Sequence, residues 1–210
     1  MTYADPSLTA KSDPGLGRIV AATLFLWAGA VAWASSSGVF VSFPLPFFAG
    51  IVATLLIATV SLYVVNSRLK AGVERFGLRK LTALHVWRIP AAVAFYYYGS
   101  HGLLPPTFVV LAGTGDLIAG VFALYVVTAK PTSKSAYWGF HLIGMADFIV
   151  AVGTGLTFSL MSDAQMETIA LFPLALIPLF GVTLSGATHI AAFDLLRKDK
   201  GLPKAAGTQR

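Results

Sequence analysis

Three ionisable residues, Arg88, Asp116 and Asp147, stand deep inside runs of apolar sequence, and three histidines, His85, His141 and His189, stand in similar company. A guanidinium presents a planar fork that matches a carboxylate, so Arg88 can neutralise one of the two aspartates. The other is then in surplus. An unbalanced charge in an apolar medium costs about 2.5 to 3.5 kcal/mol on insertion scales, so a carboxyl proton, a protonated histidine or a bound cation is expected to compensate it. The expected assignment pairs Arg88 with Asp116 and leaves Asp147, which shares its apolar run with His141, as the titrating group. Such a site moves or senses a proton, a cation or a small solute.

The histidines suggest a second chemistry. His85 precedes Arg88 by one helical turn, as H-x-x-R, so both fall on one helix face. His141 lies four residues into its apolar run and His189 eight residues before Arg197, which puts all three imidazoles at one depth; His101 falls in a connecting segment instead. Three converging imidazoles could bind zinc or copper, and two on facing helices could ligate a b-type haem with Arg88 near a propionate. The alternative is that each histidine only donates a hydrogen bond between helices. Membrane di-iron hydroxylases and desaturases need several H-x-x-x-H boxes, and none occurs here. With no cysteine there is no thiolate metal site, iron–sulfur cluster or c-type haem attachment. Haem b or a divalent metal is therefore the extent of the cofactors the residues could hold. Gly113-Thr114-Gly115 does not complete G-x-G-x-x-G, because Ile118 takes the last position, and no G-x-S-x-G elbow exists.

The elements that must position these residues are apolar and long. The 210-residue chain is 56% hydrophobic and 11% charged, with a mean hydropathy of +0.75, a composition for which a lipid bilayer is the natural solvent. Six stretches, 19–41, 45–65, 81–99, 107–128, 137–160 and 168–196, are each long enough for a hydrocarbon core of roughly 30 Å. The expected fold is an all-α integral membrane bundle of six transmembrane helices, between tails at 1–18 and 197–210. The short connections leave no room for a nucleotide-binding or nucleic-acid-reading domain, so the bilayer is the expected partner, with other membrane subunits or a second copy beside it. If Lys11, Arg18, the apolar run from Ile19 and Ala32-Trp33-Ala34 act as a cleaved signal, five spans remain.

A net charge of +6 is explained by topology. Lys11 and Arg18 precede the first span; Arg68, Lys70, Arg75, Arg79 and Lys80 separate the second and third; Lys130 and Lys134 separate the fourth and fifth; Arg197, Lys198, Lys200, Lys204 and Arg210 follow the sixth. Fourteen of fifteen basic residues thus fall on alternate connections, and the segments around Ser35, Ser100 and Asp163 carry none. The positive-inside rule then places both termini in the cytoplasm of a bacterial inner membrane. Kinks are expected at Pro90 and in the first half of span six.

Gly113 and Gly120 flank Asp116, and with Gly144 and Ser185 they mark faces where helix backbones can approach closely. Spans four and five echo one another, Leu111-Ala112-Gly113-Thr114-Gly115-Asp116-Leu117-Ile118 against Leu142-Ile143-Gly144-Met145-Ala146-Asp147-Phe148-Ile149, a similarity that would suit an inverted repeat about a midplane site. Taken together, His85-Val86-Trp87-Arg88, Gly102-Leu103-Leu104-Pro105, Ala112-Gly113-Thr114-Gly115-Asp116, Phe172-Pro173-Leu174 and Ile177-Pro178 with His189 resemble a group of uncharacterised bacterial multi-pass membrane proteins over Leu81 to Leu196. That resemblance implies the membrane location and the pairing of Arg88 with Asp116, and no particular chemistry. A similarity to DoxX-like membrane proteins covers Gly102 to Gly120, with Asp116 where an acidic residue is expected.

Overall fold

The computed structural model of the protein describes residues 14–129, 133–198 and 200, and every regular element in that range is helical. The helices are α1 (Pro14–Ser36), α2 (Leu45–Val65), α3 (Ser67–Phe76), α4 (Leu78–Ala83), α5 (Arg88–Ser100), α6 (Pro106–Ala129), α7 (Lys134–Leu160) and α8 (Ile177–Arg197). Among the described residues five of them, α1, α2, α6, α7 and α8, are long and apolar enough to cross a membrane. Most of both expected tails, and Lys130 between the fourth and fifth spans, lie outside the described residues.

The expected third span is not one helix. Pro90 has no N–H to give the carbonyl of Val86, and its ring would crowd that carbonyl in a regular helix. The chain answers by tightening: His85 N bonds Thr82 O at 2.9 Å, Arg88 N bonds His85 O at 3.1 Å and Ile89 N bonds Val86 O at 3.1 Å, all three residues back rather than four. α4 therefore ends at Ala83 and α5 starts at Arg88. Side chains three apart in so tight a turn eclipse one another, which brings His85 and Arg88 to one side.

Two other spans differ at their ends. The first helix begins at Pro14 and stops at Ser36, five residues short of the expected limit, because the chain turns at Gly38 with a φ of 72° into a short 3-10 turn at Phe40–Ser42. The expected sixth span breaks into a 3-10 helix at Ala164–Ala170, a turn containing a cis Phe172–Pro173 bond, and a helix that opens with a wide π-helical stretch, Ile177–Val182, at Pro178.

The core has two layers. Phe48, Phe95, Phe108, Ala112, Leu174 and Leu179 fill one, and Tyr63, Leu78, Ala123, Phe140, Ala192 and Leu195 the other. Along α6, α7 and α8, Asp116, His141, Asp147 and His189 fall between the two. The faces turned outward are apolar instead of polar: Phe25, Leu26, Trp33, Ile57, Val65, Ile149 and Leu160 are all exposed. One end of the bundle gathers charge, through ion pairs of Lys200 with Glu74 at 3.0 Å and Lys198 with Asp194 at 2.9 Å, and a hydrogen bond that Tyr63 donates to Asp194 at 2.9 Å. The amphipathic α3 lies at this end, capped by Asn66, whose side chain accepts from Leu69 N. At the opposite end Gln165 donates to the carbonyl of Gly102 at 2.8 Å.

Candidate functional site

Arg88 is the first residue of α5, and its side chain, 2% exposed, turns into the bundle. Nε donates to Asp116 Oδ1 on α6 at 2.6 Å, Nη1 donates to the Gly144 carbonyl on α7 at 3.2 Å, and Nη2 donates to Asp147 Oδ2, also on α7. The expected pairing of Arg88 with Asp116 alone is thus corrected, since the fork serves a carboxylate on each of two neighbouring helices.

Small residues permit this convergence. A β-carbon at Gly115 would collide with the Asp147 carboxylate. One at Gly120 would lie 2.8 Å from the backbone nitrogen of Ile89, so the start of α5 rests directly on α6 there. One at Gly144 would lie 2.6 Å from His189 Cε1 and 3.6 Å from Arg88 Nη1, so this glycine is where the arginine and the histidines meet. Gly113 differs from its expected role, since a β-carbon there would sit an ordinary 3.5 Å from Tyr96. Ser185 accepts a hydrogen bond from Trp87 Nε1 at 3.3 Å, and the Trp87 ring covers Gly181.

The three histidines come together one layer nearer the charged end, all 0% exposed. His141 Nδ1 and His189 Nδ1 share a hydrogen bond at 2.9 Å; His141 Nε2 meets Thr82 Oγ1 at 3.3 Å, and His85 Nε2 meets Thr188 Oγ1 at 3.1 Å. The rings of His85 and His189 lie 4.1 Å apart, and Phe140 packs against all three. Nothing in this arrangement fits a haem, whose axial imidazoles must stand on opposite sides of a porphyrin: the rings contact one another directly. What the donor set does fit is a single ion, since one nitrogen of each ring lies within 4.8 Å of the others. His101 is remote, bonded through Nδ1 to the Tyr97 carbonyl at the opposite end.

Beside the charged cluster is a cavity of about 160 Å³. Phe48 and Leu56 from α2, Phe95 from α5, Phe108 from α6 and Phe148 from α7 line it, and Arg88, Asp116, Trp87 and Ser185 supply its polar wall. Ala53 and Leu156, at its rim, are exposed on the outer faces of α2 and α7. Sequence spacing did not single out Thr82, Thr188, Trp87 or Gly115. Gly115 directly precedes Asp116 and Thr188 directly precedes His189, so adjacency to an ionisable residue was the available signal.

A family model described as Domain of unknown function (DUF8737) matches residues 42–197, which spans α2 to α8 and includes every residue of the charged cluster and the histidine cluster. No curated protein and no solved structure matches the chain.

Proposed function

We propose that this chain, which belongs to the family described as Domain of unknown function (DUF8737), is a six-crossing protein of the bacterial inner membrane whose Arg88–Asp116–Asp147 cluster holds one exchangeable proton and uses it to move or sense a small solute. Five crossings are the long apolar helices. The sixth is the broken pair α4 and α5, residues 78–100, whose span of roughly 30 to 35 Å at 1.5 Å per residue matches the hydrocarbon thickness. Both termini face the cytoplasm in this reading, because basic connections alternate with neutral ones along the sequence, and α3, with Arg68 and Arg75 exposed on it, lies in the interface at the Glu74–Lys200 end.

One observation carries the functional part: a single buried guanidinium bonds two carboxylates, so the cluster carries an uncompensated negative charge in the middle of the bundle. A histidinium does not compensate it well. His189, the nearest imidazole, has an Nε2 with no hydrogen-bond partner, and a proton there would be buried without an acceptor. A proton on one carboxyl settles the balance while adding a donor to the polar wall of the cavity. The adjoining space suits an apolar group about the size of benzene, reached from the lipid between α2 and α7.

Infrared spectroscopy of the purified protein in lipid tests this. The reading expects the carbonyl stretch of a neutral carboxylic acid at neutral pH, shifted in heavy water. It should vanish in Asp116→Asn or Asp147→Asn and persist in Glu167→Gln. A spectrum with no neutral carboxyl, or one that both aspartate variants leave unchanged, overturns it.

A further inference from the structure

We propose that His85, His141 and His189 form a binding site for one first-row transition-metal ion, copper or zinc. The site is independent of the proton held by the aspartates. The hydroxyl of Thr188 has a single hydrogen, and the acceptors for it are the backbone carbonyls of Leu184 at 2.9 Å and Ser185 at 3.0 Å. With that hydrogen directed to the backbone, the contact between Thr188 Oγ1 and His85 Nε2 at 3.1 Å is assigned as donated by the imidazole. Nε2 therefore carries the ring's proton, and Nδ1 presents a bare lone pair.

That lone pair is buried and has no partner among the described residues. A buried acceptor in this state is a cost that needs a reason. A metal ion supplies one. Imidazoles that bind metals characteristically donate their second N–H to an oxygen, which fixes the tautomer and aims the free nitrogen; Thr188 does this for His85. Thr82 is placed to do the same for His141, at 3.3 Å from Nε2.

His141 and His189 complete the set. Their Nδ1 atoms approach to 2.9 Å and hold one proton between them; its transfer to His189 Nε2, which has no partner, keeps that ring neutral and leaves two nitrogen lone pairs facing each other for an ion. One nitrogen of each ring lies within 4.8 Å of the others; metal–nitrogen bonds of about 2.0 to 2.1 Å would set the three roughly 3.4 Å apart, opening the 2.9 Å pair of His141 and His189 and tilting the His85 and His189 rings apart from their 4.1 Å contact. An all-imidazole donor set selects copper or zinc over calcium or magnesium, which want oxygen.

The test uses the full chain carrying a tag without histidine, purified in detergent and offered zinc(II) or copper(I) under reducing conditions. After removal of loose metal by a weak chelator, the expected result is one equivalent of at least one of these ions, with X-ray absorption showing three imidazole nitrogens. His85→Gln, whose amide can still donate to Thr188, should bind at least tenfold more weakly. Thr188→Val, which touches no metal, should lose about 10- to 100-fold in affinity through the freed ring; His101→Gln should bind as the parent does. Should the histidine variants fail to fold, the spectrum of the parent and the Thr188→Val affinity still decide. Uptake well below one equivalent of both ions, fewer than three imidazoles at the metal, or undiminished binding in Thr188→Val overturns the site.

Discussion

Arg88 has five N–H donors, and the three that are placed reach acceptors on two different helices, Asp116 on α6 and Gly144 and Asp147 on α7. Removing the side chain undoes both joints and leaves two facing carboxylates, whereas an Asp→Asn change keeps an amide oxygen as acceptor and leaves one matched ion pair. Arg88→Leu is therefore expected to destabilise the protein by about 3 to 5 kcal/mol, the range for breaking a buried pair, and by more than Asp116→Asn or Asp147→Asn. Arg88→Leu combined with Asp116→Asn should recover part of the loss. Thermal unfolding and folded yield in detergent measure this, and wild-type stability of Arg88→Leu would show that the three residues do not act as one site. Depth along each helix was legible from counting residues, which is why Arg88, Asp116 and Asp147 could be grouped from sequence. Pairing was not, because it depends on how α5, α6 and α7 are rotated about their own axes, and that rotation is set by contacts such as Ile89 on Gly120.

At the scale of the element, the two glycines that flank Asp116 were indistinguishable by spacing and differ in the structure. A β-carbon at Gly120 would meet backbone, 2.8 Å from Ile89 N, which cannot move without shifting the start of α5 and with it Arg88; at Gly113 the nearest atom is a Tyr96 ring carbon at 3.5 Å. Gly120→Ala is expected to cost about 1 to 3 kcal/mol through overpacking. Gly113→Ala is expected to be neutral or stabilising by up to about 1 kcal/mol, since alanine is the better helix former. Opposite signs in paired melting curves check the close approach of α5 and α6, and equal effects would mean that the helices are not in contact at Gly120. The break between α4 and α5 was half legible: Pro90 announced a kink, but its position, a full turn earlier at Leu84–Trp87, follows from the carbonyl that the proline cannot serve. The cavity was not legible at all. It arises where the π-helical start of α8 and the aromatic rings of α2, α5, α6 and α7 fail to fill a common space, a property of several elements at once.

For the molecule as a whole, the alternation of basic and neutral connections was the most readable feature, because it needs no knowledge of packing. The structure gathers the same segments at the same ends: α3 and the C-terminal end of α8 are joined by the Glu74–Lys200 pair, and the α5–α6 and α7–α8 connections by Gln165 and Gly102. The outward apolar faces between these two ends are compatible with a bilayer as the surrounding medium. The six-crossing orientation predicts that positions 70 and 134 face the cytoplasm and positions 100 and 163 the periplasm. Since the chain has no cysteine, Lys70→Cys, Lys134→Cys, Ser100→Cys and Asp163→Cys can each be introduced singly and treated in intact cells with a thiol reagent that does not cross the membrane. Labelling is expected at 100 and 163 at once, and at 70 and 134 only after the membrane is opened. If α4 and α5 did not cross as a broken span, positions 70 and 100 would react alike while 70 and 134 would differ, so the experiment tests the sixth crossing as well as the orientation. Labelling of 70 and 134 in intact cells with 100 and 163 protected would invert the topology and set the charge distribution at odds with the positive-inside rule.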